Sequence, residues 1–234
     1  MRIISGKYKG RRLQAPKNLP VRPTTDMAKE ALFNILNNHF NFGELKILDL
    51  FSGTGNIAYE FASRGATPLV AVDADMGCVN FIRKISNEFD FDITPIKSDV
   101  FTFLQKHKGS YDIIFADPPY HLDQKYFEKI PTLIFENEIL DEEGMLIIEH
   151  SKDTKLEHLD NFSFARTYGG TTFTFFELVS DEDESDDITE DDEDDEAERN
   201  AERQRDPELA PAEAEGGQRE EHARRDREAR GLEQ

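Results

Sequence analysis

From Lys46 onward the chain alternates short apolar runs with stretches of helical spacing, and few architectures accommodate that rhythm. Ile47-Leu48-Asp49-Leu50-Phe51, Leu69-Val70-Ala71-Val72-Asp73, Ile113-Ile114-Phe115-Ala116 and Met145-Leu146-Ile147-Ile148-Glu149 are too short for buried helices and too continuously apolar for half-exposed strands. Runs of this kind suit strands covered on both faces. Helical patterns lie between them, over 58–64, 76–89, 100–106 and 126–135; in the second, Val79, Ile82 and Ile85 recur at three-residue steps. Strand and helix in strict alternation imply crossover connections, hence a parallel sheet with helices on both faces.

The end of the pattern differs. Phe162-Ser163-Phe164-Ala165 and Thr172-Phe173-Thr174-Phe175-Phe176 are joined through Gly169-Gly170 with no room for a helix, so they form a hairpin and the last strand runs antiparallel. The predicted fold is α/β, a Rossmann-like, mostly parallel seven-stranded sheet. Ahead of it, Arg22-Pro23-Thr24-Thr25-Asp26 reads as a helix start, leading into Ala28, Leu32, Ile35 and Leu36 on one face.

Charge divides the chain further. Its formal net charge is −21, yet residues 1–30 hold eight Lys and Arg against Asp26 and Glu30, while residues 179–234 alone carry 24 Asp and Glu and no aromatic residue. A segment of that composition buries too little apolar surface to offset the entropy of ordering, and it is predicted to be disordered. Three parts are expected: a basic, hairpin-like segment and helix over 1–45, a core over 46–178, and an acidic tail over 179–234. A single cysteine, Cys78, excludes an intramolecular disulfide and any multi-cysteine zinc site, and packing is its expected role. The six histidines lack ligand spacing, so no metal is expected. There is no signal-peptide run or membrane-span run, which points to a cytoplasmic protein.

Asp49-Leu50-Phe51-Ser52-Gly53-Thr54-Gly55-Asn56-Ile57-Ala58 puts a Gly-x-Gly turn between the first apolar strand and a helix, where missing side chains let a nucleotide-like ligand approach the backbone. The glycines alone also fit a dinucleotide fingerprint. Their surroundings discriminate better: Asp49 precedes the turn, Asp73 ends the second strand and Asp99 follows the third. Asp73 suits both ribose hydroxyls, Asp49 a cationic aminoacyl group and Asp99 an adenine amine, a set that fits S-adenosylmethionine. Phe51, Asp75, Val100 and Thr24 complete the candidate cofactor residues.

Asp117-Pro118-Pro119-Tyr120 follows the Ile113–Ala116 strand and so falls at the same carboxyl edge. The exocyclic amine of a nucleobase is conjugated with its ring and a poor nucleophile. The Asp117 carboxylate and the Pro118 carbonyl suit both amine hydrogens, the prolines stiffen the backbone without adding competing donors, and Tyr120 offers a stacking face for a flipped-out base. The reaction expected is methylation of an exocyclic amino nitrogen.

With these residues in place, residues 1–178 resemble the bacterial 16S ribosomal RNA guanine-N2 methyltransferase family (RsmD). The likeness rests on Arg2-Ile3-Ile4-Ser5-Gly6-Lys7-Tyr8-Lys9-Gly10-Arg11-Arg12-Leu13, Arg22–Asp26 with Glu30-Ala31-Leu32-Phe33-Asn34, Phe51–Gly55 and Asp117–Tyr120. It implies a class I S-adenosylmethionine-dependent fold and methylation of one guanine N2 of 16S RNA in the assembling small subunit. It also implies a catalytic Asp117–Tyr120 segment and an N-terminal segment that touches RNA, for which Lys7, Lys9, Arg11, Arg12 and Arg22 are the candidates. A monomer is expected, with no membrane partner. The acidic tail has no counterpart in that family. Two other readings remain open: an adenine-N6 methyltransferase acting on DNA or RNA, and a non-catalytic RNA-binding or assembly protein on the same fold; a dehydrogenase would leave Asp117–Tyr120 without a purpose.

Overall fold

The computed structural model describes residues 1–16, 19 and 25–179. The expectations for Arg22, Thr24 and nearly all of the acidic tail lie outside the described residues.

The alternation of apolar runs becomes an alternation of elements: α1 (Asp26–His39), β1 (Ile47–Leu50), α2 (Asn56–Ser63), β2 (Leu69–Asp73), α3 (Met76–Phe89), β3 (Ile93–Lys97), α4 (Val100–Lys106), β4 (Tyr111–Ala116), α5 (Gln124–Glu136), β5 (Leu140–Ser151), β6 (Phe162–Tyr168) and β7 (Thr171–Phe176). The strands form one seven-stranded sheet in the order β3-β2-β1-β4-β5-β7-β6. Strands β1 to β5 pair in parallel, and β7 runs antiparallel to both β5 and β6. The expected hairpin and antiparallel last strand are both present.

Because side chains alternate across a strand, each strand feeds two cores. Ile47, Ile113, Phe115 and Ile147 face α1, α2 and α3 through Leu32, Phe33, Phe61 and Ile82. Leu48, Leu50, Ile114, Leu146 and Ile148 face α4 and α5 through Val100, Leu104, Phe127 and Ile134. Cys78 is buried within α3, its thiol pushed up to about 12, chiefly by that burial.

Two elements exceed their apolar signal. The helix expected over 126–135 spans Gln124–Glu136 and continues through Pro131. Strand β5 starts at Leu140 rather than Met145, because Tyr111 pairs with Leu140 across an irregularity in the register; Glu142 and Glu143 on that extension are exposed and carry no apolar pattern.

The N-terminal segment is hairpin-like: Arg2 and Arg12 form an antiparallel bridge, and Ile3 N–H donates to Arg11 O at 2.9 Å. Among the described residues, no helix is long and apolar enough to cross a membrane.

Candidate active site

The site begins where β1 ends. The chain leaves the strand through Phe51 at φ 56°, then turns at Gly53 (φ 52°) and Gly55 (φ 79°) before entering α2. A Cβ on Gly55 would stand 2.7 Å from Tyr59 Cζ, so both space and backbone conformation demand glycine there. Phe51 holds a left-handed conformation that an L side chain adopts at a cost, as is common beside ligand sites.

Strand β2 fixes this turn from the side. Gly53 N–H donates to Asp73 Oδ2 at 2.8 Å, and Asp75 N–H donates to Asp73 Oδ1 at 2.7 Å. Asp75 in turn caps α3 by accepting from Cys78 N–H at 2.9 Å, and Asp99 caps α4 by accepting from Thr102 N–H at 2.8 Å. In both caps the contact uses Oδ1, so the helix-capping role accounts for one oxygen of each carboxylate.

Strand β4 brings the tetrad alongside. Asp117 N–H donates to Leu50 O at 3.3 Å, which holds the start of the tetrad against the end of β1. Pro118 is buried, Pro119 is exposed, and the Tyr120 hydroxyl lies 3.3 Å from Thr171 Oγ1 at the start of β7.

These segments enclose one cavity of about 490 Å³. Asp49, Phe51, Gly53, Asp73, Asp75, Asp99, Val100 and all four of Asp117, Pro118, Pro119 and Tyr120 line it. Gly55 does not; it shapes the turn behind. Thr25, Asn56, Glu149 and Thr171 also line the cavity and are not among the site residues expected from the sequence. Thr25 caps α1 and Asn56 opens α2, so both looked like ordinary helix starts, and Glu149 and Thr171 belong to strands whose pairing decides what their ends face.

The lining carries six carboxylates, from Asp49, Asp73, Asp75, Asp99, Asp117 and Glu149, and no lysine or arginine among the described residues. Asp49 is the most enclosed of them, 1% exposed, and its Oδ2 has no hydrogen-bond partner. Burial pushes its carboxyl well above the usual carboxylate range; the Ala58 backbone N–H opposes that shift and the Asp73 charge adds to it. A wall so acidic favours a ligand that carries positive charge and lacks phosphate at this end of the site.

The family described as Conserved hypothetical protein 95 (Cons_hypoth95) matches residues 1–177. The chain belongs to this family. Among similar proteins, YlbH of Bacillus subtilis (strain 168) is 34% identical over 187 residues, 76% of this chain and 98% of its own. Ribosomal RNA small subunit methyltransferase D of Haemophilus influenzae (strain ATCC 51907 / DSM 11121 / KW20 / Rd) is 29% identical over 174 residues, 71% of this chain and 86% of its own. The solved Escherichia coli protein yhhF superposes with a TM-score of 0.67 at 24% identity, covering 76% of this chain and 99% of that one. The core of this Cons_hypoth95 member therefore has the class I methyltransferase fold, in agreement with the strand order.

The N-terminal segment of this Cons_hypoth95 member is anchored on the back of α2. Glu60, fully buried, accepts from Ile4 N–H at 2.8 Å and Ser5 N–H at 2.9 Å and pairs with Lys29 at 3.4 Å and Arg64 at 3.1 Å. Lys29, equally buried, also donates to Arg2 O at 2.7 Å and to Asn56 Oδ1 at 2.9 Å; burial lowers its pKa, and Glu60 opposes that shift. Gly6 packs so closely on Ser63 that a Cβ would stand 1.9 Å from its carbonyl oxygen. The candidate RNA residues Lys7, Lys9, Arg11 and Arg12 are exposed on this hairpin and do not line the cavity.

Proposed function

We propose that this protein transfers a methyl group from S-adenosylmethionine to the exocyclic N2 amine of a guanine in 16S ribosomal RNA of the small subunit, in the cytoplasm. The observation that carries the reading is the sharing of one cavity wall by the glycine turn with Asp49 and Asp73 and by the Asp117–Tyr120 tetrad. A relative named ribosomal RNA small subunit methyltransferase D supports the RNA class, and the sequence resemblance to guanine-N2 enzymes supports the base.

The residues fit the donor. Asp73 uses both oxygens to hold the backbone, leaving on each a second lone pair for ribose hydroxyls. Asp49 Oδ2, buried and without a partner, suits the ammonium of the aminoacyl group. The second oxygen of Asp99 suits the adenine amine, with Val100 and Phe51 supplying apolar wall. A dinucleotide pyrophosphate would instead meet carboxylates and, among the described residues, no lysine or arginine. When bound, S-adenosylmethionine supplies an activated methyl group on a positively charged sulfur.

The protein's task is then positioning. Asp117 and the Pro118 carbonyl accept the two hydrogens of the amine, so its lone pair is held toward the donor site. Tyr120, braced on Thr171, stacks the flipped base, an interaction worth about 1 to 3 kcal/mol. Lys7, Lys9, Arg11 and Arg12 meet phosphates. In this reading residues 1–45 serve as the RNA arm, 46–178 as the methyltransferase core and 179–234 as a dispensable tail; Arg22 and Thr24 keep the RNA and cofactor roles read from the sequence.

The test is transfer of labelled methyl from S-adenosylmethionine to small subunits, naked 16S RNA and DNA, followed by nucleoside analysis. Label is expected in N2-methylguanosine and is lost in Asp117→Ala. Label in N6-methyladenine overturns the guanine assignment, and no label on any substrate favours an RNA-binding assembly role.

A further inference from the structure

Glu149 is buried in the cavity wall, 4% exposed, and the roles above do not use it. Its place follows from register. Strands β4 and β5 are parallel, with Ala116, the last residue of β4, opposite Ile148, so Asp117 follows β4 next to Glu149, which lies near the end of β5. Neighbouring strands lie about 4.8 Å apart. Asp49 stands opposite Phe115 and Phe115 opposite Ile147, so Glu149, two residues beyond Ile147, is on the same face of the sheet as Asp49. Tyr120 is held on that side too: its hydroxyl meets Thr171, which pairs with Ser151, two residues past Glu149. A base stacked on Tyr120 would lie on the side of the sheet that carries both carboxylates.

Purines differ at that edge. Guanine carries adjacent donors, N1–H and the N2 amine, whereas adenine places an acceptor, N1, beside its amine. A carboxylate only accepts hydrogen bonds. We infer that Glu149 is the specificity residue of this site: its carboxylate accepts the guanine N1–H while Asp117 and the Pro118 carbonyl hold the N2 amine. This rests on the guanine reading proposed above. An adenine, or any purine with N1 as acceptor, sets a lone pair against Glu149. Sites built to pair a polar group of the substrate reject analogues lacking it far more strongly than sites that read shape alone.

The experiment uses the full chain and 2,6-diaminopurine, which keeps the 2-amino group but has an acceptor at N1. The guanine mapped by the assay above is replaced by diaminopurine in the same RNA, and kcat/KM is measured for both RNAs with wild-type protein and with Glu149→Gln. If no N2-methylguanosine forms in the first assay, the underlying reading fails before this question arises. Wild-type protein is expected to favour guanine by about 100-fold or more. Glu149→Gln, whose amide both donates and accepts, is expected to narrow the preference to about 10-fold or less, with S-adenosylmethionine affinity by calorimetry unchanged. Wild-type protein that methylates both RNAs equally well overturns the assignment whatever the variant does. So does a Glu149→Gln protein that binds the donor normally and keeps the wild-type preference, or that is inactive on both RNAs.

Discussion

Asp73 holds the glycine turn in place: its Oδ2 accepts from Gly53 N–H at 2.8 Å, which ties the end of β2 to the loop after β1. Asp73→Ala removes that anchor together with the proposed ribose contacts. Hydrogen bonds to a charged acceptor contribute roughly 1.5 to 3 kcal/mol each, so S-adenosylmethionine affinity measured by calorimetry should fall by at least about 10-fold. Unchanged affinity would remove Asp73 from the donor site.

If Asp49 meets the donor's ammonium as proposed, donor binding depends on pH. Burial raises its folded-state pKa above the unfolded value, so its stabilising contribution is fully present below the ordinary carboxylate range and is lost as pH rises through the raised value. Asp49→Asn should flatten that part of the stability-pH curve in urea titrations. An ammonium favours the ionised form, so donor affinity should rise with pH over the same window and binding should release a proton, seen as a dependence of the calorimetric heat on buffer ionisation. The variant should bind the donor at least about 10-fold more weakly and release no proton.

Gly55 is set by two independent constraints, a positive φ and a Tyr59 ring 2.7 Å from where a Cβ would stand. Gly55→Ala should cost about 2 to 5 kcal/mol in chemical denaturation, the sum of a left-handed backbone penalty and overpacking. Gly10, also at positive φ but with nothing within 4 Å of a Cβ, should lose only the backbone part, about 1 to 2 kcal/mol.

Lys29 and Glu60 form a buried pair that fastens the N-terminal hairpin to α2. Lys29→Met leaves Glu60 without one of its two cationic partners and frees the Arg2 carbonyl, so stability should fall by about 3 to 5 kcal/mol. Limited proteolysis should then cut within residues 1–16 before the core; cleavage at the wild-type rate would show that other contacts hold the hairpin.

Removing residues 179–234 takes away most of the acidity and leaves every described residue of the cavity lining in place. Methyl transfer by the shortened chain should stay within about 2-fold of the full chain, since long-range repulsion of RNA is largely screened at physiological ionic strength. A collapse in activity would assign the tail a part in the reaction.

Much of the fold was legible because its causes are local. Buried strands show as apolar runs, positive φ selects glycine at Gly53 and Gly55, and a proline pair after a strand announces a stiff segment at the sheet edge. From that, the meeting of Asp49, Asp73 and Asp99 with Asp117–Tyr120 could be anticipated, since all sit at carboxyl ends of parallel strands. Local signals did not reach the start of β5, where exposed Glu142 and Glu143 erase the apolar pattern and only pairing with β4 makes a strand. Nor did they reach Glu149, which reads as one more acid after an apolar run until register sets it beside Asp117, or Thr171, which braces Tyr120 from 51 residues away. The sequence by itself determined the elements and the chemistry at each strand end, because those depend on residue type and short spacing. Tertiary structure alone decided which carboxylates share a wall and which one keeps a buried oxygen without a hydrogen-bond partner, because register and burial are properties of the assembled sheet.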